Sequence, residues 1–394
     1  MPYINEAYWG KCIECGQCLV KCPVMKMEKT EAVAAIRSLI RGKEVPRVFE
    51  ECTYCFNCNR YCPVEGLRPH ELILQRTLER KKRVPAVFSY LSNGMGRSSI
   101  FTDIYGMLNE KENRILDRWA ETPPPSREIL WVGCVGKISC HDLDNSKVLK
   151  QLPKYGPRDL CCGELAYRLG SWETYEKTIE RTLERFRSLD IERMVCYCGS
   201  CYNYFSSILP KVYGKKLPFE LISMYQWLLE KAEGGELAVQ KPLNFRAAVH
   251  ESCYVTELER DFPSVLRKLY SMAGMDIVEL PHHGENNLSC GALSFVRSLN
   301  PLKSLIREQR RKFVDVGLAG ADQVAVNCPG CYITLSLTSP LYAKKLRYMP
   351  DELLEAFGDD ITMPIGKRLM LFVKAFMLKS PKLLFSSVVS SESD

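Results

Sequence analysis

Nineteen cysteines are spread over 394 residues, and most fall into tight sets whose spacing suits metal thiolates. Cys12, Cys15, Cys18 and Cys22 stand in CIECGQCLVKCP, and Cys52, Cys55, Cys58 and Cys62 stand in CTYCFNCNRYCP. Both runs fit C-x2-C-x2-C-x3-C-P, in which three thiolates wrap a loop around one iron–sulfur cube and the fourth reaches the other cube. The spacing predicts two [4Fe–4S] clusters, one on Cys12, Cys15, Cys18 and Cys62, the other on Cys52, Cys55, Cys58 and Cys22. Structural zinc needs neither the third closely spaced cysteine nor the Cys-Pro ending. The chemistry of such a pair is one-electron conduction.

A second constellation follows: Cys134, Cys161, Cys162, Cys198 and Cys201. A cube takes one thiolate per iron, so five converging cysteines include a bystander or hold an unusual cluster with a bridging thiolate. A zinc site with a spare thiol and a redox-active vicinal disulfide are the alternatives. Adjacent cysteines in an extended chain point apart, so Cys161 and Cys162 share a site only on an irregular loop, which Gly163 permits. LCCGELAYRLG, from Leu160, returns as LSCGALSFVRS, from Leu288, with Ser289 replacing the first cysteine.

The elements that must position these residues alternate between two periods. Residues 128–134, 193–197, 245–253, 276–280 and 323–328 read as strands, most running into a cysteine at their carboxyl ends. Residues 31–42, 69–83, 173–190, 263–273 and 300–318 read as helices. Alternating strand and helix implies parallel α/β layers, whose sites form outside the strands' carboxyl ends. The expected organisation is a helical dicluster domain over 1–110 and a linker over 111–126 ending in the break ETPPPS. Two pseudo-repeated α/β domains over 127–232 and 243–345 follow, then a helical tail over 346–394.

Composition narrows the function. The formal charge of +7 comes from 54 basic and 47 acidic residues, interleaved, which fits an acidic partner or an anionic surface and not nucleic acid. A cysteine-rich chain of this length without a signal segment points to the reducing cytoplasm. No apolar run reaches the length of a membrane span. Residues 367–385, KRLMLFVKAFMLKSPKLLF, have an apolar centre of about 15 Å as a helix. They are expected to pack on the second repeat, or to dock peripherally on a membrane subunit or the bilayer through their basic flanks.

A lone cysteine after a strand, then Cys-Cys-Gly, then C-x2-C resembles the CCG cysteine-rich domain, carried here by CCGELAYRLGSWETYEKT and CYCGSCYNYF. HESCYV, ENNLSCGALSF and NCPGCYITL are similar to a second copy. This domain occurs in catalytic subunits of heterodisulfide reductases. It also occurs in iron–sulfur subunits of anaerobic glycerol-3-phosphate, glycolate and lactate oxidation, and in subunits associated with dissimilatory sulfite reduction. The layout resembles the archaeal membrane-associated heterodisulfide reductase subunit over nearly the whole chain. The resemblance implies a noncubane [4Fe–4S] cluster on Cys134, Cys161, Cys162, Cys198 and Cys201 that cleaves a disulfide. It implies a second site on Cys253, Cys290, Cys328 and Cys331. There Ser289 and the ALSF stretch depart from the pattern, and four thiolates suit a conventional [4Fe–4S] cluster or zinc.

The resulting expectation is an iron–sulfur electron-transfer oxidoreductase of heterodisulfide-reductase type. Its partners would be a flavoprotein, a ferredoxin or a membrane cytochrome b-type subunit, with a small thiol or disulfide as substrate. The rival readings are an electron relay to quinone without a thiol substrate, and a zinc-holding scaffold. Cys196 is expected to be a core thiol and Cys140 a spare or reactive one. His250 is expected to hydrogen-bond near the second site, and His282 and His283 to be loop residues or, failing that, proton donors.

Overall fold

The computed structural model describes residues 6–80, 83–86, 90, 99–258, 261–297, 301–385 and 387–389. The amino-terminal lobe packs the helices Lys29–Ile40 and Pro69–Arg80 over two cysteine loops, burying Leu19, Ile36, Leu39, Leu72 and Leu74. Each loop uses the same backbone device. Glu14 and Gly16 in the first, and Tyr54 and Phe56 in the second, have positive φ and alternate with the cysteines. Left-handed residues at this spacing turn successive N–H groups inward, a concavity suited to sulfur anions. The Cys22 sulfur receives the Val24 and Met25 N–H groups, and Cys55 receives that of Asn57.

Two parallel sheets follow. The first contains β1 (Ser126–Trp131), β2 (Lys154–Tyr155), β3 (Ile191–Cys196) and β4 (Glu220–Ser223), in the order β2-β1-β3-β4. The second contains β5 (Arg246–His250), β6 (Asp276–Val278), β7 (Gln323–Val326) and β8 (Lys345–Tyr348), in the order β6-β5-β7-β8. The strand orders match, so the repeat seen in the cysteine motifs is a repeat of topology. Strands β1, β3 and β7 place their last three residues in the interior, which is why they read as short apolar runs.

The elements around these sheets extend past the expected boundaries. The helix Glu110–Ala120 buries Ile115, Leu116 and Trp119 in the same core as the first sheet. The helix Ile100–Tyr105 joins it there, and Tyr105 Oη donates to the Cys134 carbonyl at 2.8 Å. Residues 100–120 therefore wall the first repeat, whereas sequence pattern alone divides them between the dicluster domain and a linker. The amphipathic pattern of Glu110–Ala120 is visible in the sequence, but not which core it joins. At the other end, the boundary at 345 falls inside β8, the edge strand of the second sheet. The Ile365–Phe385 helix turns Phe372 and Ala375 inward, with Phe372 edge-on to Phe101. Arg368 forms a buried ion pair with Glu112. The helix thus packs on the first-repeat wall as well as on the Pro329–Ser336 helix of the second repeat.

Candidate iron–sulfur centres

In the amino-terminal lobe, Cys12, Cys15, Cys18 and Cys62 line one small void with Trp9, Ile36 and Leu72. The Cys18 thiol is pushed up by burial first and then by the charges of Cys62, Cys12 and Cys15. Cys58 is raised by burial and then by Cys52, Cys55, Cys18 and Cys22, and the first charge that Cys22 feels is that of Cys55. The chain therefore crosses over, setting Cys62 beside the first loop and Cys22 beside the second. Thiols kept neutral by one another in a lined, N–H-rich pocket are the donor set that iron–sulfur clusters take up as thiolates.

The remaining cysteines follow from sheet topology. In each sheet the chain leaves the first strand toward one edge and the third strand toward the other. The crevice between those two carboxyl ends is where such sheets bind ligands. Cys134 follows β1 and Cys198 follows β3; Cys253 follows β5 and Cys328 follows β7. The crevices face each other. One cavity of about 250 Å³ is lined by Cys134, Cys161, Cys162, Cys198 and Cys201 of the first repeat and by Cys253, Cys290, Cys328 and Cys331 of the second. Thr53, between Cys52 and Cys55, contributes to its wall.

The first-repeat thiols form an unbroken series of contacts. Cys134 meets Cys161, Cys161 meets Cys162, Cys162 meets Cys201, and Cys201 meets Cys198. Hydrogen bonds from Cys134 and Cys162, together with the Gly163 N–H and the nearby Lys137 charge, hold Cys161 well below the usual thiol range. Gly163 has φ +77°, and a Cβ there would lie 2.7 Å from Tyr175 Cδ2, so both the left-handed turn and the ring require glycine. The turn brings the Gly163 N–H to 3.4 Å from Cys161 Sγ. Lys137 is fully buried, donates to the Pro157 and Leu160 carbonyls at 2.5 and 3.1 Å, and is pulled down by burial against the pull of Cys134 and Cys161.

In the second repeat Cys290 meets Cys331 and Cys331 meets Cys328, while Cys253 feels the charges of Cys290 and Cys328. Ser289 takes the position of Cys161 in detail. Gly291 has φ +83°, and its N–H donates to Ser289 Oγ at the same 3.4 Å. A hydroxyl thus lies where the first repeat has the sulfur that joins Cys134 to Cys162.

Four polar residues in or beside the cavity went unnoticed in the sequence: Lys137, Glu164, Arg168 and Lys312. Their common signal is a charge inside an apolar pattern. Lys312 lies on the buried stripe of the Pro301–Leu318 helix with Leu305, Gln309, Phe313 and Val316. Burial pushes it down to about 8, and its Nζ meets no hydrogen-bond partner among the described residues. His250 does not make the expected hydrogen bond: β5 carries it into the interior, and both ring nitrogens are buried without a partner among the described residues. Cys140 is fully buried against the Glu112 carbonyl and raised by burial to about 12, which removes the reactive-thiol alternative. Cys196 is a core thiol at the end of β3. His282 and His283 lie in a loop, on Asp315 Oδ1 at 2.7 Å and on the Leu280 carbonyl at 2.6 Å.

Comparison with known proteins agrees with this layout. The 4Fe-4S dicluster domain family matches residues 8–66, and the Cysteine-rich domain (CCG) family matches residues 130–206 and 247–336. The chain is 24% identical to one subunit of the dihydromethanophenazine:CoB–CoM heterodisulfide reductase of Methanosarcina barkeri, over 82% of this chain and 88% of that protein. It is 26% identical to an uncharacterized iron-sulfur protein of Methanocaldococcus jannaschii, over 81% of this chain and 66% of that protein. It is 22% identical to the EtfAB:quinone oxidoreductase of Syntrophomonas wolfei, over 78% of this chain but 46% of that protein. No described helix is long and apolar enough to cross a membrane. Two crossed four-cysteine loops, paired switch-point crevices and these matches together give the chain a 4Fe-4S dicluster domain followed by two CCG cysteine-rich domains, the layout of an iron–sulfur oxidoreductase.

Proposed function

We propose that the chain carries electrons from a redox partner through its amino-terminal lobe to the cavity between the two repeats, where a disulfide is reduced. The observation that carries this reading is the shared cavity, walled by all nine cysteines of the repeats and by Thr53 of the amino-terminal lobe. Cys12, Cys15, Cys18 and Cys62 would hold one cubane, and Cys22, Cys52, Cys55 and Cys58 the other. Cys134, Cys161, Cys162, Cys198 and Cys201 would hold a noncubane [4Fe–4S] cluster. Cys253, Cys290, Cys328 and Cys331 would hold a conventional one, so the second repeat is a relay. Such clusters, when bound, take up and release single electrons.

The chain's own residues support the division. Five thiols in mutual contact exceed the needs of a cube, while Ser289 leaves four on the other side. Buried Lys137 favours the thiolate forms of Cys134 and Cys161. Ile100, Phe101, Leu293, Ile333 and Phe372 give the cavity an apolar wall. That apolar wall, and the similarity to a quinone oxidoreductase, favour a second reading in which a quinone-linked partner replaces the disulfide. Met370, Met377 and Leu378, exposed on the Ile365–Phe385 helix with Lys367 and Lys374, would dock the molecule on a membrane subunit.

Anaerobic iron and sulfide analysis tests the cluster assignment: roughly 12 to 16 irons per chain are expected, four per cluster. About eight irons with bound zinc would support the scaffold reading instead. A new paramagnetic signal on adding a thiol to the oxidised protein is expected if a disulfide is the substrate, and silence toward every thiol leaves the quinone-linked relay.

A further inference from the structure

Arg168 belongs to the first repeat but reaches into the second. It is 2% exposed, and its Nη1 donates to Cys253 Sγ at 2.6 Å. Its Nε lies 2.6 Å from Glu164 Oε1, and its guanidinium stacks 4.5 Å over the Phe56 ring. Phe56 stands between Cys55 and Cys58, with a φ of +66° that a bulky side chain rarely adopts. One cation therefore touches a residue of each of the three cysteine-bearing regions. The positions matching Glu164 and Arg168 in the second copy are Ala292 and Val296, which cannot form the equivalent ion pair.

We infer that Arg168 is a positioning residue that raises the reduction potential of the Cys253, Cys290, Cys328 and Cys331 centre and so sets the two halves at different potentials. A hydrogen bond and a positive charge on a ligating sulfur stabilise the reduced, more negative state of a cluster. Burial strengthens that effect, since little water screens it. Glu164 moderates it by neutralising part of the charge. An arginine suits the task because it stays charged when buried and can serve sulfur, carboxylate and ring at once. The inference rests on the reading that this centre holds an iron–sulfur cluster.

The test is a redox titration of the intact, cluster-loaded chain followed by electron paramagnetic resonance. The signal lost in Cys290→Ala identifies the second-repeat centre; if that variant loses zinc and no signal, the cluster reading fails and not the role of Arg168. In Arg168→Gln the midpoint of that signal should move to lower potential while the other signals hold. In Glu164→Gln it should move the opposite way, because the guanidinium is no longer neutralised. An unchanged midpoint with full iron content, or a common shift of all signals, overturns the inference. If Arg168→Gln sheds iron, Glu164→Gln decides: an upward shift supports the assignment and no shift refutes it.

Discussion

The two repeats share a strand order, a left-handed glycine after the ligand turn, and cysteines at the same strand ends, yet they differ in what surrounds the sulfur. Cys161 receives two thiol contacts and a backbone N–H, whereas Ser289 keeps the N–H and loses the sulfur. Lys137 is satisfied by two carbonyls, whereas Lys312 has no hydrogen-bond partner among the described residues. Arg168 crosses from the first repeat to Cys253. A duplicated fold keeps its backbone geometry because the turn fails without it, and side chains pointing into the cavity can diverge without disturbing the sheets. The difference between the halves therefore lies in a few cavity residues and not in architecture.

The most severe way to break the comparison is to exchange its central residues. Cys161→Ala should abolish activity and one spectroscopic signal and lower the iron content by about four per chain, with the second-repeat signal intact. Ser289→Cys should alter only the second-repeat signal. Raised activity with unchanged metal content would mean that the halves are not divided as described. Next in size is the glycine pair. Gly163→Ala combines a disfavoured φ, about 1–2 kcal/mol, with an overlap against Tyr175 that adds about 1–3 kcal/mol. Gly291→Ala meets Glu308 Cβ at 3.0 Å, a milder approach, and should cost about 1–2 kcal/mol in chemical denaturation.

The smallest effect concerns the edge strands. At the end of β4, Ser223 caps the helix Met224–Glu233 with a neutral hydroxyl. After β8, Asp351 lies in the first helical turn and accepts the Ile365 N–H at 2.9 Å. Burial raises Asp351 from 3.8 to about 7. The folded chain thus keeps a proton that the unfolded chain has already lost. The resulting stability is fully present below the ordinary carboxyl range and is lost as pH rises through about 7. Asp351→Asn should therefore gain in melting temperature relative to the parent between about pH 5 and pH 8. An unchanged difference across that range would refute it.

Much of this was legible in the chain. Ligand spacing is local, and a loop of three thiolates two residues apart has few ways to fold, so both four-cysteine loops stood out. The strands ending in cysteines were visible as apolar runs. β2, with two residues, and the edge strands β4 and β8 were not, because short or partly exposed strands carry little pattern. The helices at Ile100–Tyr105 and Glu110–Ala120 show how far periodicity reaches: it identifies a buried face but not its partner.

The sequence by itself determined where the cysteines cluster and at what spacing, that the α/β half is duplicated, and that Ser289 breaks the duplication. These are matters of residue type and short spacing. Only the tertiary structure decided that the two crevices open into one cavity, that the Cys52–Cys62 loop reaches its wall through Thr53, and that Arg168 serves the opposite repeat. Those relations join residues far apart in the chain, and packing of whole layers sets them, so no local pattern encodes them.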